Sequence, residues 1–206
     1  MKKLFTLLVL TVSFCMNAQI STNSTDNSGI FSSAIGNQTT ASGQSSTAMG
    51  EYSTASGQAS TSMGYNTMAS GDMSTAMGSG SIASALNSIA IGYETTASAT
   101  NSLATGYQTI ASGQSSTAMG RITTASGQSS TAMGSNTHAD GNRSTAMGYG
   151  SYAVGDYSTA MGFGTTASDY SSTVIGQFNS SGHSATSINS FSTSAPAFVI
   201  GNGTAI

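Results

Sequence analysis

The chain has 206 residues, of which only 5% are charged: four Lys or Arg stand against seven Asp or Glu, for a formal net charge of −3. Two of the four cations, Lys2 and Lys3, lie at the N-terminus, and the well-separated Arg121 and Arg143 cannot form a phosphate-neutralising track, which argues against nucleic acid or an anionic membrane as partner. From residue 20 onward, 22 of 187 residues are Leu, Ile, Val or Phe, a proportion typical of disordered chains, but the net charge is small and the apolar residues keep a register.

Residues 1–19 read as a secretory signal peptide: Lys2 and Lys3, an apolar run from Leu4 to Phe14, then Asn17-Ala18-Gln19. The run is too short to span a bilayer. Cleavage near Ala18 or Gln19 removes Cys15, the only cysteine, so the mature chain is stabilised without disulfides; a lipoprotein reading of Cys15 is the weaker alternative, because bulky Phe14 stands where a small residue is expected. Residues 20–28 follow as an N-terminal linker and cap.

Residues 29–182 form eleven fourteen-residue repeats of the type G-Q-S-S-T-A-M-G-x-x-T-T-A-S. A fixed period of this length predicts a solenoid. With columns counted from Gly43, column four is always Ser and column eight always Gly, across all eleven repeats. Column six is Ala in nine repeats, with Ser62 and Val174 as exceptions. Column seven is Met in seven, Ile in three and Thr105 once, and column thirteen is Ala in ten. These patterns predict an all-β parallel β-roll with strands at columns four to seven and eleven to fourteen. Each strand is followed by a glycine position, column eight or one, expected to provide a tight turn with positive φ and room for close coil stacking.

The apolar columns do not follow a 3.6-residue period, and glycine and β-branched threonine oppose a helix. Fourteen is not a multiple of six, which excludes a hexapeptide helix, and the aspartate and double-glycine pattern of calcium-binding nonapeptides is missing.

Two repeats sharpen the assignment: Asn87-Ser88-Ile89-Ala90-Ile91-Gly92 and Asn101-Ser102-Leu103-Ala104-Thr105-Gly106. They resemble the N-S-x-A-I-G motif of the head repeats in YadA-like trimeric autotransporter adhesins, and the surrounding S-T-A-M-G repeats resemble it with Met for Ile. The resemblance implies a left-handed parallel β-roll, a homotrimer around a common axis, and surface adhesion. In such adhesins a neck, a coiled-coil stalk and a membrane-anchor barrel follow the head. Here residues 183–195 read as a degraded repeat, and residues 197–204 are similar to the segment that precedes a tailspike-type chaperone in secreted Bacteroidetes proteins. The chain is therefore expected to be a truncated product or fragment, secreted or held at the surface of a Gram-negative bacterium.

A thin coil buries little of its own surface, so a strand covered on both faces by a second chain fits the trimer. The expected packing puts column seven inside the roll opposite the alanines of column thirteen, with columns four and six at the threefold axis; the reverse remains open.

No serine has a positioned His and acid partner, no G-x-S-x-G elbow appears, and no phosphate-binding loop exists, so the expected site inventory contains no catalytic residue, cofactor or metal. The methionine column reads as core filling, because Ile substitutes within it. His138 and His183 lie in different repeats without further ligands and read as surface residues. Column nine is variable and holds Tyr65, Tyr93, Tyr107, Tyr149 and Phe163, with Tyr52, Tyr152, Tyr157 and Tyr170 in neighbouring variable columns. A ladder of these rings could grip a host or environmental matrix protein or a glycan, or could merely stiffen an edge. Three functions compete: a non-enzymatic adhesin head, a structural spacer, and an ice-binding solenoid. The last needs Thr-x-Thr pairs on one face, whereas Thr39-Thr40, Thr95-Thr96 and Thr123-Thr124 are adjacent.

Overall fold

The structure is a computed structural model that describes residues 23–179, 187–190 and 197–202. The signal-peptide segment 1–19 lies outside the described residues, as do His183 and most of the segment read as a degraded repeat. The described chain is an all-β parallel solenoid of fourteen-residue coils with no helix.

Two sheets run along it. A wide sheet of twelve strands, each five residues long, begins with Ser33–Asn37 and Thr47–Glu51, and a narrow sheet of ten two-residue strands begins with Thr40–Ala41. Pairing is parallel and column-true, so Ala118 faces Ala132, Met119 faces Met133 and Gly120 faces Gly134. The wide strands occupy columns five to nine, displaced C-terminally from the expected four to seven, and the narrow strands occupy columns twelve to thirteen, within the expected eleven to fourteen. The narrow ladder reaches one residue further in its hydrogen bonds, for instance from the Ser56 amide to the Ala69 carbonyl at 2.9 Å.

Side-chain alternation along the wide strand decides the packing. Columns four and six point inward and columns five and seven outward, the reverse of the expected assignment. Fifteen interior alanines of columns six and thirteen, together with Val174, form one continuous cluster from Ala69 to Val174. Ser62 separates it from the smaller cluster of Ala41, Ala48 and Ala55. The two sheets lie so close that, apart from Val174, no fully or nearly buried side chain exceeds threonine in size apart from Asp169. Methionine does not fit there. The core-filling expectation for column seven is therefore corrected: its residues lie on the outer face of the wide sheet, half-buried apart from the exposed Ile91.

Interior hydroxyls bond locally in some coils, while others, such as those of Ser74, Ser116, Thr109 and Thr123, are buried without a hydrogen-bond partner. Ser60 and Ser88 of column four donate to the column-one carbonyls of Gly57 and Ala85, each at 2.7 Å. In column eleven, Thr67 donates to Ser53 and Ser53 to the Gly64 carbonyl, both at 2.9 Å. The same relay joins Thr95, Ser81 and Gly92. Ser62 shares its buried hydroxyl with Thr67 at 2.8 Å, which is why a polar residue is tolerated in the alanine column.

The turn chemistry also differs from expectation. Left-handed backbone occurs at columns three and ten, occupied mostly by residues other than glycine, such as Ser45, Tyr52, Ile122 and Arg143. Column eight has the expected positive φ, between 109° and 137°, but lies within the wide strand and not in a turn after it. Column one has ordinary φ, and its glycines are there for space: a Cβ on Gly113 would meet the Gly127 carbonyl oxygen at 2.0 Å.

Both ends extend the solenoid. Asn23 and Asp26 form parallel bridges with Asn37 and Thr40, laying a partial coil over the first. The twelfth wide strand, Phe198–Asn202, pairs in register with Thr173–Gln177, and Val199 packs on the alanine cluster. Among the described residues the last narrow strand is Thr166–Ala167. There the side-chain amide of Asn179 receives the Thr166 N–H at 2.7 Å and donates to the Thr166 carbonyl at 2.8 Å, taking the place of a backbone rung.

Candidate contact surface

Every large apolar or aromatic side chain of the repeats lies on the outside, because the interior admits only small ones. Columns nine and ten form one edge of the solenoid, at the end of the wide strands. Coil stacking near 4.8 Å brings column-nine residues of successive coils into ring contact. Tyr93 and Tyr107 stack at 5.1 Å with planes 8° apart, and Tyr149 and Phe163 stack at 5.1 Å and 12°. Phe178 of column ten closes the second stack edge-on to Phe163 at 4.8 Å. Tyr65 instead meets Tyr52 edge-on at 5.9 Å, isolated from Tyr93 by Ser79.

Sequence reasoning placed these five rings in one column, and the structure brings four of them together as two pairs. It missed the cation between the pairs. The Arg121 guanidinium lies over the Tyr107 ring, 5.8 Å from its centroid, and extends the first stack by one rung. Its position in column nine, fourteen residues after Tyr107, was the available signal.

Charge near the edge is sparse. The Tyr93 phenol is held above its ordinary pKa by its hydrogen bond to Glu94 and by that carboxylate's negative charge, which opposes the phenolate. Glu94 also accepts a hydrogen bond from the Gln108 amide at 2.7 Å.

Two other surfaces carry aromatics. On the outer face of the narrow sheet, His138 stacks on Tyr152 at 4.8 Å and 3°. On the opposite edge, Arg143 donates to the Tyr157 hydroxyl at 2.6 Å, and Tyr157 meets Tyr170 at 5.3 Å. No group of three or more His, Cys, Asp or Glu residues comes together among the described residues.

No curated protein matches the chain. The family described as YadA head domain repeat, in two copies, matches residues 28–53, 41–67, 69–95, 97–121, 125–151 and 153–179. Each matched segment spans about two coils, so the family unit and the structural unit coincide. Heads of this family are adhesin-type repeats of surface-exposed bacterial proteins. With most of its length matched in this way, the chain belongs to the family of YadA head domain repeats.

Proposed function

We propose that the chain is a non-enzymatic adhesin head, secreted or displayed at a Gram-negative cell surface, which attaches to host or environmental matrix proteins or glycans through its aromatic edge. The observation that carries this reading is the pair of exposed ring stacks in column nine, Tyr93 with Tyr107 and Tyr149 with Phe163. Rigid aromatic side chains already held by their neighbours lose little conformational freedom on contact, a property favoured at binding hot spots.

A homotrimer belongs to the same reading. The outer face of the wide sheet presents columns five and seven, with Met119, Met133 and Met147 in line. Such a line of half-buried apolar side chains is suited to cover by a neighbouring chain. Three copies would present three aromatic edges, and weak contacts summed over them would raise avidity.

Replacing Tyr93 and Tyr107 together by Ser tests the reading. We expect an unchanged β-type circular dichroism spectrum and loss of attachment to immobilised matrix protein or glycan surfaces. Attachment that survives the change counts against the edge. No attachment by the parent to any surface favours the second reading, a spacer, for which the uninterrupted rod of column-true coils speaks. An ice-binding reading has less support, because Thr39 is buried while Thr40 faces outward, so neighbouring threonines do not line one face.

A further inference from the structure

The aromatic edge has a missing rung. Going up column nine, Tyr93, Tyr107 and Arg121 stack in order, then comes Ser135, then Tyr149 and Phe163 stack again. Arg121 pairs in register with Ser135 and Ser135 with Tyr149, so the guanidinium and the phenol ring flank the serine from adjacent coils. Two coil rises separate the walls, about 10 Å between backbones. One flat group of ring thickness fills that interval at the 5.1 Å spacing the neighbouring rungs already use.

The walls differ in chemistry. Tyr149 is covered by Phe163 on one face and has no ring on the face toward Ser135. Arg121 lies on Tyr107, and forms no ion pair among the described residues. No acidic residue occurs in columns nine and ten from Arg121 through Gly164, and the residues beside the gap, Ser135 and Asn136, are polar. An open π-face, an unpaired guanidinium and a hydroxyl floor within one rung form a set suited to a sugar ring bearing negative charge. A pyranose there would lay its C–H face on the phenol, bring its anion to the guanidinium in charge-assisted hydrogen bonds, and turn its hydroxyls to Ser135 and Asn136.

Resting on the adhesin reading, we propose that Arg121, Ser135 and Tyr149 form a subsite for an anionic pyranose residue of an acidic polysaccharide. A single-rung gap with a polar floor offers no apolar pocket for a protein side chain, so a glycan is favoured over a peptide.

The test measures binding of the full chain to polygalacturonate, heparin and neutral dextran. Polygalacturonate carries carboxylate alone and heparin adds sulfate, so the stronger of the two names the anion. We expect one acidic polymer to bind at least about tenfold more tightly than dextran, with an affinity that falls as salt rises. R121Q and Y149S should each weaken binding by about tenfold, while R143Q, on the opposite edge, leaves it unchanged. S135Y is decisive because it fills the gap without removing either wall: it should keep the fold and abolish binding. Binding that survives S135Y, or a preference for dextran, overturns the subsite. If the parent attaches to protein surfaces but to neither acidic polymer, the subsite fails and the adhesin reading stands. If it attaches to nothing, the adhesin reading fails as well.

Discussion

Column ten shows how single residues carry strain that the coil tolerates. Ile122 sits there with φ of 52°, although a β-branched side chain clashes in left-handed backbone. Other coils use Gly80, Asn136 and Gly150 at the same place, residues that adopt this conformation more readily. Ile122→Asn should therefore stabilise the protein by about 1 kcal/mol, read as a higher midpoint in urea or thermal melts. An unchanged or lower midpoint would mean that Ile122 packing outweighs the backbone strain. The sequence showed the variability of column ten but not its left-handed geometry. The turn was sought at the invariant glycines, and invariance there turned out to reflect crowding between coils as much as φ.

At the scale of one coil, the two glycine types make opposite predictions. Gly120 has φ of 119°, and a Cβ on it would meet the Gly134 carbonyl oxygen at 2.0 Å. Gly150 has φ of 61°, and its nearest neighbours would lie 4.0 Å away. Gly120→Ala should cost about 3 kcal/mol or more, because both coils must shift and backbone cannot rotate aside. Gly150→Ala should cost only about 1 kcal/mol, the left-handed penalty alone. Melting the two variants side by side checks this, and equal losses would contradict the stacking argument. The period, the strands and the alanine columns were legible in the sequence because each recurs down the whole array. The inside-outside assignment was not, since methionine and isoleucine in one column look like a core until the sheet spacing is known. The strand Phe198–Asn202 was not expected, although it carries the Ile-Gly-Asn ending of Ser33-Ala34-Ile35-Gly36-Asn37. It falls 25 residues after Thr173 in place of fourteen, and a fixed-period reading passes over it. The column-nine rings were found from the sequence, whereas the gap between them needed both walls to be seen.

For the whole molecule, the corrected packing changes which substitutions probe assembly. Met119 and Met133 lie on the outer face, and Ala118 and Ala132 lie inside at 0% exposure. Met119→Glu with Met133→Glu should convert a trimer into folded monomers, because an unpaired charge in an apolar contact costs several kcal/mol. Ala118→Glu should abolish folding of the central coils in any assembly state. Sedimentation and circular dichroism separate the outcomes: a trimer that survives the double methionine change would place the contact elsewhere.

The ring stacks have a second consequence, for the order in which coils find one another. Nearly identical coils pair almost as well with the next but one as with the next, since Gly meets Gly and Ala meets Ala in either case. Skipping a coil leaves a fourteen-residue loop, whose closure adds little cost. A slip that loops out a coil holding Tyr93, Tyr107, Tyr149 or Phe163 loses one of the ring stacks, each worth about 0.5–1.5 kcal/mol. The aromatic column thus works as an alignment key, marking out individual coils in an array that is otherwise almost blind to its own count.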